Sequence, residues 1–245
     1  LGIAIGIERE VHIRAQWHEL NGPPGGTIAP LAIDPQVPNR LYVALYGRDG
    51  GVYRTDDGGQ SWARLPVGLG QNVAMALAID PRDPARMYLG TAGNGVIGTV
   101  DGGATWSPLN DGLFNLNVLD LMLAADDPEH ILVVAYGGGG GLFSSRDHGE
   151  HWYRVNDVDT QQAFRLVSSP RDAGEVTVLS ERGVFRSTDG GTRFYLLESP
   201  DVPSDIVRDW AVGSDGTRYA IVRDGKLSRK SVHDQEWDDI LLPDR

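Results

Sequence analysis

The chain has 245 residues, 32 of them Gly, 14 Pro, 6 Trp and none Cys, with 22 basic against 34 acidic side chains and a formal net charge of −12. That length supports one large domain or two small ones, and an apolar share of 40% without low-complexity segments excludes disorder and collagen. The acidic balance excludes a duplex-binding surface, which needs clustered Lys/Arg, and the lack of Cys removes disulfides, zinc-thiolate sites and cysteine nucleophiles together.

In chain order, residues 1–20 are expected to form one or two strands ahead of a main domain at 21–245. LGIAIGI at residues 1–7 is uncharged and apolar, as the tail of a signal peptide or membrane anchor would be, and it falls far short of the roughly 20 residues that span a bilayer. Val11, Ile13, Ala15 and Trp17 then alternate with His12, Arg14, Gln16 and His18, which reads as an edge strand.

From Trp17 onward an internal period dominates. Trp17, Trp62, Trp106, Trp152, Phe194 and Trp237 are 45, 44, 46, 42 and 43 residues apart. Four of them close the same frame, TDDGGQSW from Thr55, TVDGGATW from Thr99, SRDHGEHW from Ser145 and STDGGTRF from Ser187. Asp57, Asp101, Asp147 and Asp189 can accept backbone N–H groups of their own turn, the Ser/Thr hydroxyl does the same more weakly, and a following Gly accepts positive φ. The aromatic then opens a strand and buries its ring, so Trp62→Ala and Trp106→Ala are each expected to cost about 3–5 kcal/mol.

Eleven residues before the aromatic, Gly51, Gly95, Gly141 or Gly183 opens a strand that enters this turn. Earlier in each unit, LAIDPQVPNRLYVAL from Leu31 parallels LAIDPRDPARMYLGT from Leu77 and LMLAADDPEHILVVA from Leu121, two apolar strands around a Pro-bounded turn. Four-strand units thus run about 28–65, 73–109, 117–155, 161–197 and 205–241, the last with a decayed turn, KSVHDQEW. Gly6 also stands eleven residues before Trp17, the spacing of the intact units, which suggests a half unit with an eroded turn in the N-terminal stretch, the single straight strand being the alternative.

These frames resemble the bacterial neuraminidase repeat, or Asp-box, propellers over about residues 6–241. The family embraces sialidases, xyloglucan-type endoglucanases, sortilin-type receptors and a propeller assembly factor of photosystem II, so the resemblance implies a fold and leaves function open. The expected fold is an all-β β-propeller of four-stranded antiparallel blades, five full blades plus an N-terminal partial blade or edge strand.

A sialidase-like site would need an arginine cluster, a Tyr nucleophile with a Glu partner and an acid/base Asp, and the early Arg-Ile-Pro signature is absent, His12-Ile13-Arg14-Ala15 being the nearest string. The four frame aspartates sit one per blade on outer turns and cannot converge as a glycosidase pair. With Trp62, Trp106, Trp152 and Phe194 they read as structure. His148 and His151 look like a short metal motif, yet they lie in a solvated turn with two ligands in view, and no metal or cofactor is expected.

Alternating strand directions collect the irregular loops on one face of a propeller, and loops on a rigid scaffold carry recognition. The binding candidates there are Arg48, Asn94, Phe114, Tyr136, Arg182 and Arg223, since Arg and aromatics dominate hot spots. On the innermost strands Pro30, Ala76, Asp120, Arg165 and Asp209 share one register position, so Asp120, Arg165 and Asp209 are expected to form a charged cluster lining the channel, an ion-pair network knitting blades, with a small-ligand or ion site as the alternative. The function expected from all this is a non-catalytic protein-interaction scaffold, an extracytoplasmic accessory or assembly subunit of a larger membrane complex, with protein partners and no nucleic acid. The alternative is a carbohydrate-active protein, a sialidase-like glycosidase or a lectin-like binder.

Overall fold

Each Pro-bounded turn joins two strands, and each Asp-containing frame joins two more. The computed structural model describes residues 22–23, 27–46, 50–70, 72–156, 159–197, 203, 207–222 and 225–240, so the expected N-terminal strands lie outside the described residues. Blade 1 comprises β1 (Thr27–Ile33), β2 (Leu41–Tyr46), β3 (Gly51–Thr55) and β4 (Ala63–Leu65). Blade 2 is β5 (Val73–Ile79), β6 (Met87–Ala92), β7 (Gly95–Thr99) and β8 (Ser107–Pro108). Blade 3 is β9 (Val118–Leu123), β10 (Ile131–Ala135), β11 (Gly141–Ser145) and β12 (Tyr153–Arg154). Blade 4 is β13 (Ala163–Ser168), β14 (Val176–Ser180), β15 (Gly183–Ser187) and β16 (Tyr195–Leu196). Blade 5 is β17 (Val207–Val212), β18 (Arg218–Val222), β19 (Leu227–Lys230) and β20 (Asp238–Ile240).

Each blade is one four-stranded antiparallel sheet in sequence order, and consecutive innermost strands β1, β5, β9, β13 and β17 pack beside one another, which makes the molecule a β-propeller. Among the described residues no helix is long and apolar enough to cross a membrane.

The core lies between blades. Middle strands read as continuous apolar runs because both of their faces are covered, as in Ile131–Ala135, where every residue is buried. In blades 2 to 5 the periodic aromatic seals the seam with the blade before it, while Trp62 of blade 1 packs on Val43, Leu45 and Tyr53 of its own blade. Trp106 packs on Ala44 and Val52 of blade 1, Trp152 joins Tyr88 and Val96 of blade 2, and Phe194 joins Leu132, Val134 and Leu142 of blade 3. Trp237 closes the last seam, edge to face with Trp210 at 5.5 Å. Burial is uneven: Trp152 and Phe194 are 3% and 5% exposed, whereas Trp62 and Trp106 are only half-buried. The cost expected for removing those two rings is therefore too high, because less area leaves water at each.

The Asp frame is a closed hydrogen-bond circuit. In blade 2, Thr99 Oγ1 donates to Asp101 at 2.7 Å and accepts from the Gly103 N–H at 3.1 Å, while Asp101 accepts the Thr105 N–H at 2.8 Å and its hydroxyl at 2.6 Å. The position four residues after the Asp supplies this last donor throughout: Ser61, Thr105, His151 and Arg193. These bonds hold the carboxyls below their ordinary range, at about 2 for Asp101, Asp147 and Asp189, with Asp57 lowered likewise; at Asp147 and Asp189 the bonds outweigh an opposing desolvation.

A carboxyl whose folded pKa is depressed adds stability that is complete above its ordinary value and lost as pH falls through the folded one. Cooperative unfolding is accordingly expected between about pH 4 and about pH 2, read by tryptophan fluorescence. A chain still fully folded at pH 2 would contradict this.

Candidate functional site

Every innermost strand carries one β-bulge near its start, for example between Ala74 and Ala76, Ala163 and Arg165, and Val207 and Asp209. The extra residue re-aims the side chains beyond it. In blades 3 to 5 the residue at this position is Asp120, Arg165 or Asp209, and the three meet in the channel, with Arg165 Nε 4.0 Å from Asp120 Oδ2 and 3.6 Å from Asp209 Oδ1. Asp120 also accepts the Leu121 N–H and, across the blade boundary, the Leu166 N–H, both at 2.9 Å. Burial nevertheless raises its carboxyl above the ordinary range, against those bonds and the arginine.

The two carboxylate oxygens are thus no more than about 7.6 Å apart, within the roughly 5–10 Å that glycoside cleavage requires. The guanidinium fills the space between them, where a sugar would have to enter, so the trio works as a tie between three blades. Blades 1 and 2 carry no charge at this register, where Pro30 and Ala76 stand.

His151 of the metal-like motif belongs to the turn circuit: its Nδ1 lies 2.7 Å from Asp147 Oδ2, and its backbone N–H donates to the same carboxylate. Asp147, Glu150 and His151 bring ligand atoms within 4.8 Å of one another, but both Asp147 oxygens already serve the turn. His148 does not lie in a fully solvated position; its ring is half-buried between blades 2 and 3.

Of the loop-face candidates, Arg48 and Arg223 lie outside the described residues. Phe114 projects from the loop between β8 and β9 and is 82% exposed. Arg182 is exposed, with Nε 3.9 Å from Asp159 Oδ2. Asn94 is engaged: its side chain takes the Asn72 amide and its carbonyl takes the Asn110 amide at 2.9 Å. Tyr136 presents its carbonyl to the amides of Asn115 and Asn117, each at 3.2 Å.

Not foreseen from the sequence is a groove of about 500 Å3 on this face, between blades 1 and 2, lined among others by Tyr46, Arg64, Pro66 and Asn72. Arg64 lies along Gly51 and donates to the Gly50 carbonyl at 2.7 Å, and Arg154 does the same to Gly140 at 2.8 Å in blade 3. Both arginines stand two residues after the periodic Trp, where blades 2 and 4 carry Pro108 and Leu196, and comparing those register positions could have found them. Chemically the groove offers an exposed tyrosine ring, amide and guanidinium donors and backbone carbonyls without clustered charge. That combination suits an uncharged polyhydroxylated chain, whose ring faces are C–H surfaces and whose edges are hydroxyls.

No family model matches the chain. Among curated proteins, it is 40% identical over 92 residues to the xyloglucanase Xgh74A of Acetivibrio thermocellus, covering 31% of this chain and 11% of that protein. It is 29% identical over 180 residues to the oligoxyloglucan-reducing end-specific xyloglucanase of Emericella nidulans, covering 64% of this chain and 22% of that protein. The chain therefore spans between about a tenth and a fifth of these relatives' length. Among solved structures, an ancestral GH74 enzyme superposes with a TM-score of 0.71 at 19% identity, over 91% of this chain and 32% of that one. The YCF48 protein bound to a D1 peptide superposes with a TM-score of 0.68 at 19% identity, over 91% of this chain and 71% of that one. At such identities the superpositions establish the propeller fold. The curated relatives overturn the expectation of a non-catalytic scaffold, since they are named as xyloglucanases and point to a glycoside hydrolase.

Proposed function

We propose that this chain is a propeller of a xyloglucan-active glycoside hydrolase, and that its loop face holds the glucan. The observation that carries this reading is the 40% identity over 92 residues to a xyloglucanase. The geometry agrees with it: the groove beside Tyr46 and the exposed Phe114 ring lie on one face, and aromatic platforms with flanking amides suit a stacked sugar chain. In this reading the Asp frames are Asp-box turns of the neuraminidase-repeat kind, confined to the opposite face as framework. The substrate is a polymer too large to cross a membrane unaided, so the proposed place of action is outside the cytoplasm.

The test pairs two assays on the purified chain, retardation in a gel cast with xyloglucan and release of reducing ends from the same polymer. Retardation is expected, and Phe114→Ala should weaken it roughly tenfold, the equivalent of one lost stacking contact of about 1.4 kcal/mol. A chain that migrates as in a plain gel and releases no reducing ends would overturn the proposal.

A further inference from the structure

At the turn end of the seam between blades 2 and 3, on the face opposite the loops, the repeat departs from its own pattern twice. The residue after the frame Asp is Gly58, Gly102 or Gly190 in blades 1, 2 and 4, with φ of 72°, 72° and 70°, but His148 in blade 3, held at φ 59°. Only one other described residue that is not Gly, Gln162, has positive φ. An L-residue kept in the left-handed region is strained, and such strain persists where the surroundings or a function require the side chain. The second departure is on strand β7. Opposite Tyr88 stands Gly98, where the paired position in the other blades carries Arg54, Ser144, Arg186 or Arg229.

The two departures are 50 residues apart in the chain and line the same hollow, a pocket of about 160 Å3. A Cβ at Gly98 would lie 2.5 Å from Leu109 Cδ1, so the missing side chain lets Leu109 lie against the strand as one wall of the hollow, and the His148 ring forms another. Arg86, Tyr88, Leu109 and Glu150 are among the other lining residues. His148 Nδ1 lies 3.4 Å from the Tyr88 hydroxyl and Nε2 3.6 Å from Glu129 Oε1. Both separations are at or beyond the long end for a hydrogen bond, so neither nitrogen is saturated, and a ligand hydroxyl reaching either would improve on the present contact.

The donor and acceptor chemistry restricts the occupant. Arg86 shares the lining with Glu150, and Glu129 stands beside the His148 ring, so the site has no surplus positive charge for an anion. Its volume is about half the smallest usual drug-sized pocket, which fits a single ring. One wall is apolar, made by Leu109 and the Tyr88 ring, and Arg86, Ser107, His148 and Glu150 bring donors and acceptors to the rest of the lining. We infer that this pocket is a second sugar site, binding one neutral pyranose residue on the framework face, apart from the loop-face groove. It takes from the glucan reading only the class of ligand.

The experiment is saturation-transfer NMR on the whole chain with methyl β-D-xylopyranoside and methyl β-D-glucopyranoside as probes, with sodium sulfate as competitor. Saturation transfer to at least one glycoside is expected, unaffected by sulfate. His148→Gly restores the residue found in three sister turns, so it should fold, melt roughly 2–4 °C higher from relief of strain, and bind the glycoside roughly tenfold more weakly. Gly98→Ser, which installs the side chain of the corresponding position in blade 3, must displace Leu109 from the pocket wall and should also abolish the signal while the chain still unfolds cooperatively on heating. Phe114→Ala should leave it intact, so a failure of the loop-face reading would be visible separately in the xyloglucan gel. No transfer to either glycoside, unchanged affinity in both pocket variants, or displacement by sulfate would each overturn the inference.

Discussion

Trp152→Ala is expected to destabilise the chain by about 3–5 kcal/mol, the range for deleting a large buried aromatic. The ring is 3% exposed and packs with Tyr88, Val96, Val133 and Phe143, so its loss opens a cavity between two blades that strand pairing within each blade keeps from collapsing. The loss also orphans an acceptor, because the indole N–H donates to the Leu109 carbonyl at 2.9 Å across the same seam. Trp106 donates to Gly103 of its own turn and is only half-buried, so Trp106→Ala should cost clearly less, about 1–2 kcal/mol. Urea unfolding of the two variants side by side checks both the magnitude and the order. A Trp152→Ala loss below about 1 kcal/mol, or a larger loss at Trp106, would mean that the seam between blades 2 and 3 is not where the stability lies.

The difference between these two tryptophans marks what a repeat lets one read and what it hides. The period of the aromatics and the Asp frame are local in sequence, and turn chemistry at fixed offsets demands the same residues wherever it occurs, so blades and their strand order are legible. Burial of each aromatic depends on the neighbouring blade, a contact more than 40 residues away that no local pattern encodes. The same holds for the bulges. They add one residue to each innermost strand and turn Asp120, Arg165 and Asp209 toward a common point; their shared register is visible, but the distances of 3.6 and 4.0 Å depend on the eight chain reversals between β9 and β17.

Function is less legible for a physical reason. The conspicuous residues, Asp57, Asp101, Asp147 and Asp189, are consumed by their own turns, and a carboxylate held that way stabilises the fold without marking a chemistry. An arginine cluster for a substrate carboxylate belongs to one hydrolase chemistry only, and the relatives are named xyloglucanases, not sialidases. The groove beside Tyr46 is built from backbone carbonyls, glycines and long side chains from two blades, and such a surface leaves no motif. His148 is visible as a break in the Gly pattern, and its meaning depends on Gly98, a small residue in another blade.

The second large effect is expected at Gly112, in the loop that leads from β8 to β9. Its φ is 82°, and a Cβ built there would lie 2.2 Å from the carbonyl oxygen of Trp152 and 3.3 Å from its backbone N, so the obstruction is main chain and cannot be rotated away. The contact is tight because the Trp152 N–H donates to the Asp111 carbonyl at 2.8 Å, pinning this loop to the start of β12 on the next blade. Gly112→Ala therefore combines left-handed strain with the need to break or shift that hydrogen bond, and the sum expected is about 3–5 kcal/mol. Gly102 separates the two causes. Its φ is 72°, yet a Cβ there meets nothing within 4 Å, so Gly102→Ala should cost only the backbone strain, about 1–2 kcal/mol. If the two alanines prove equally mild in urea unfolding, the loop yields freely. It would then not be the rigid strut between blades 2 and 3 that holds Phe114 out on the loop face.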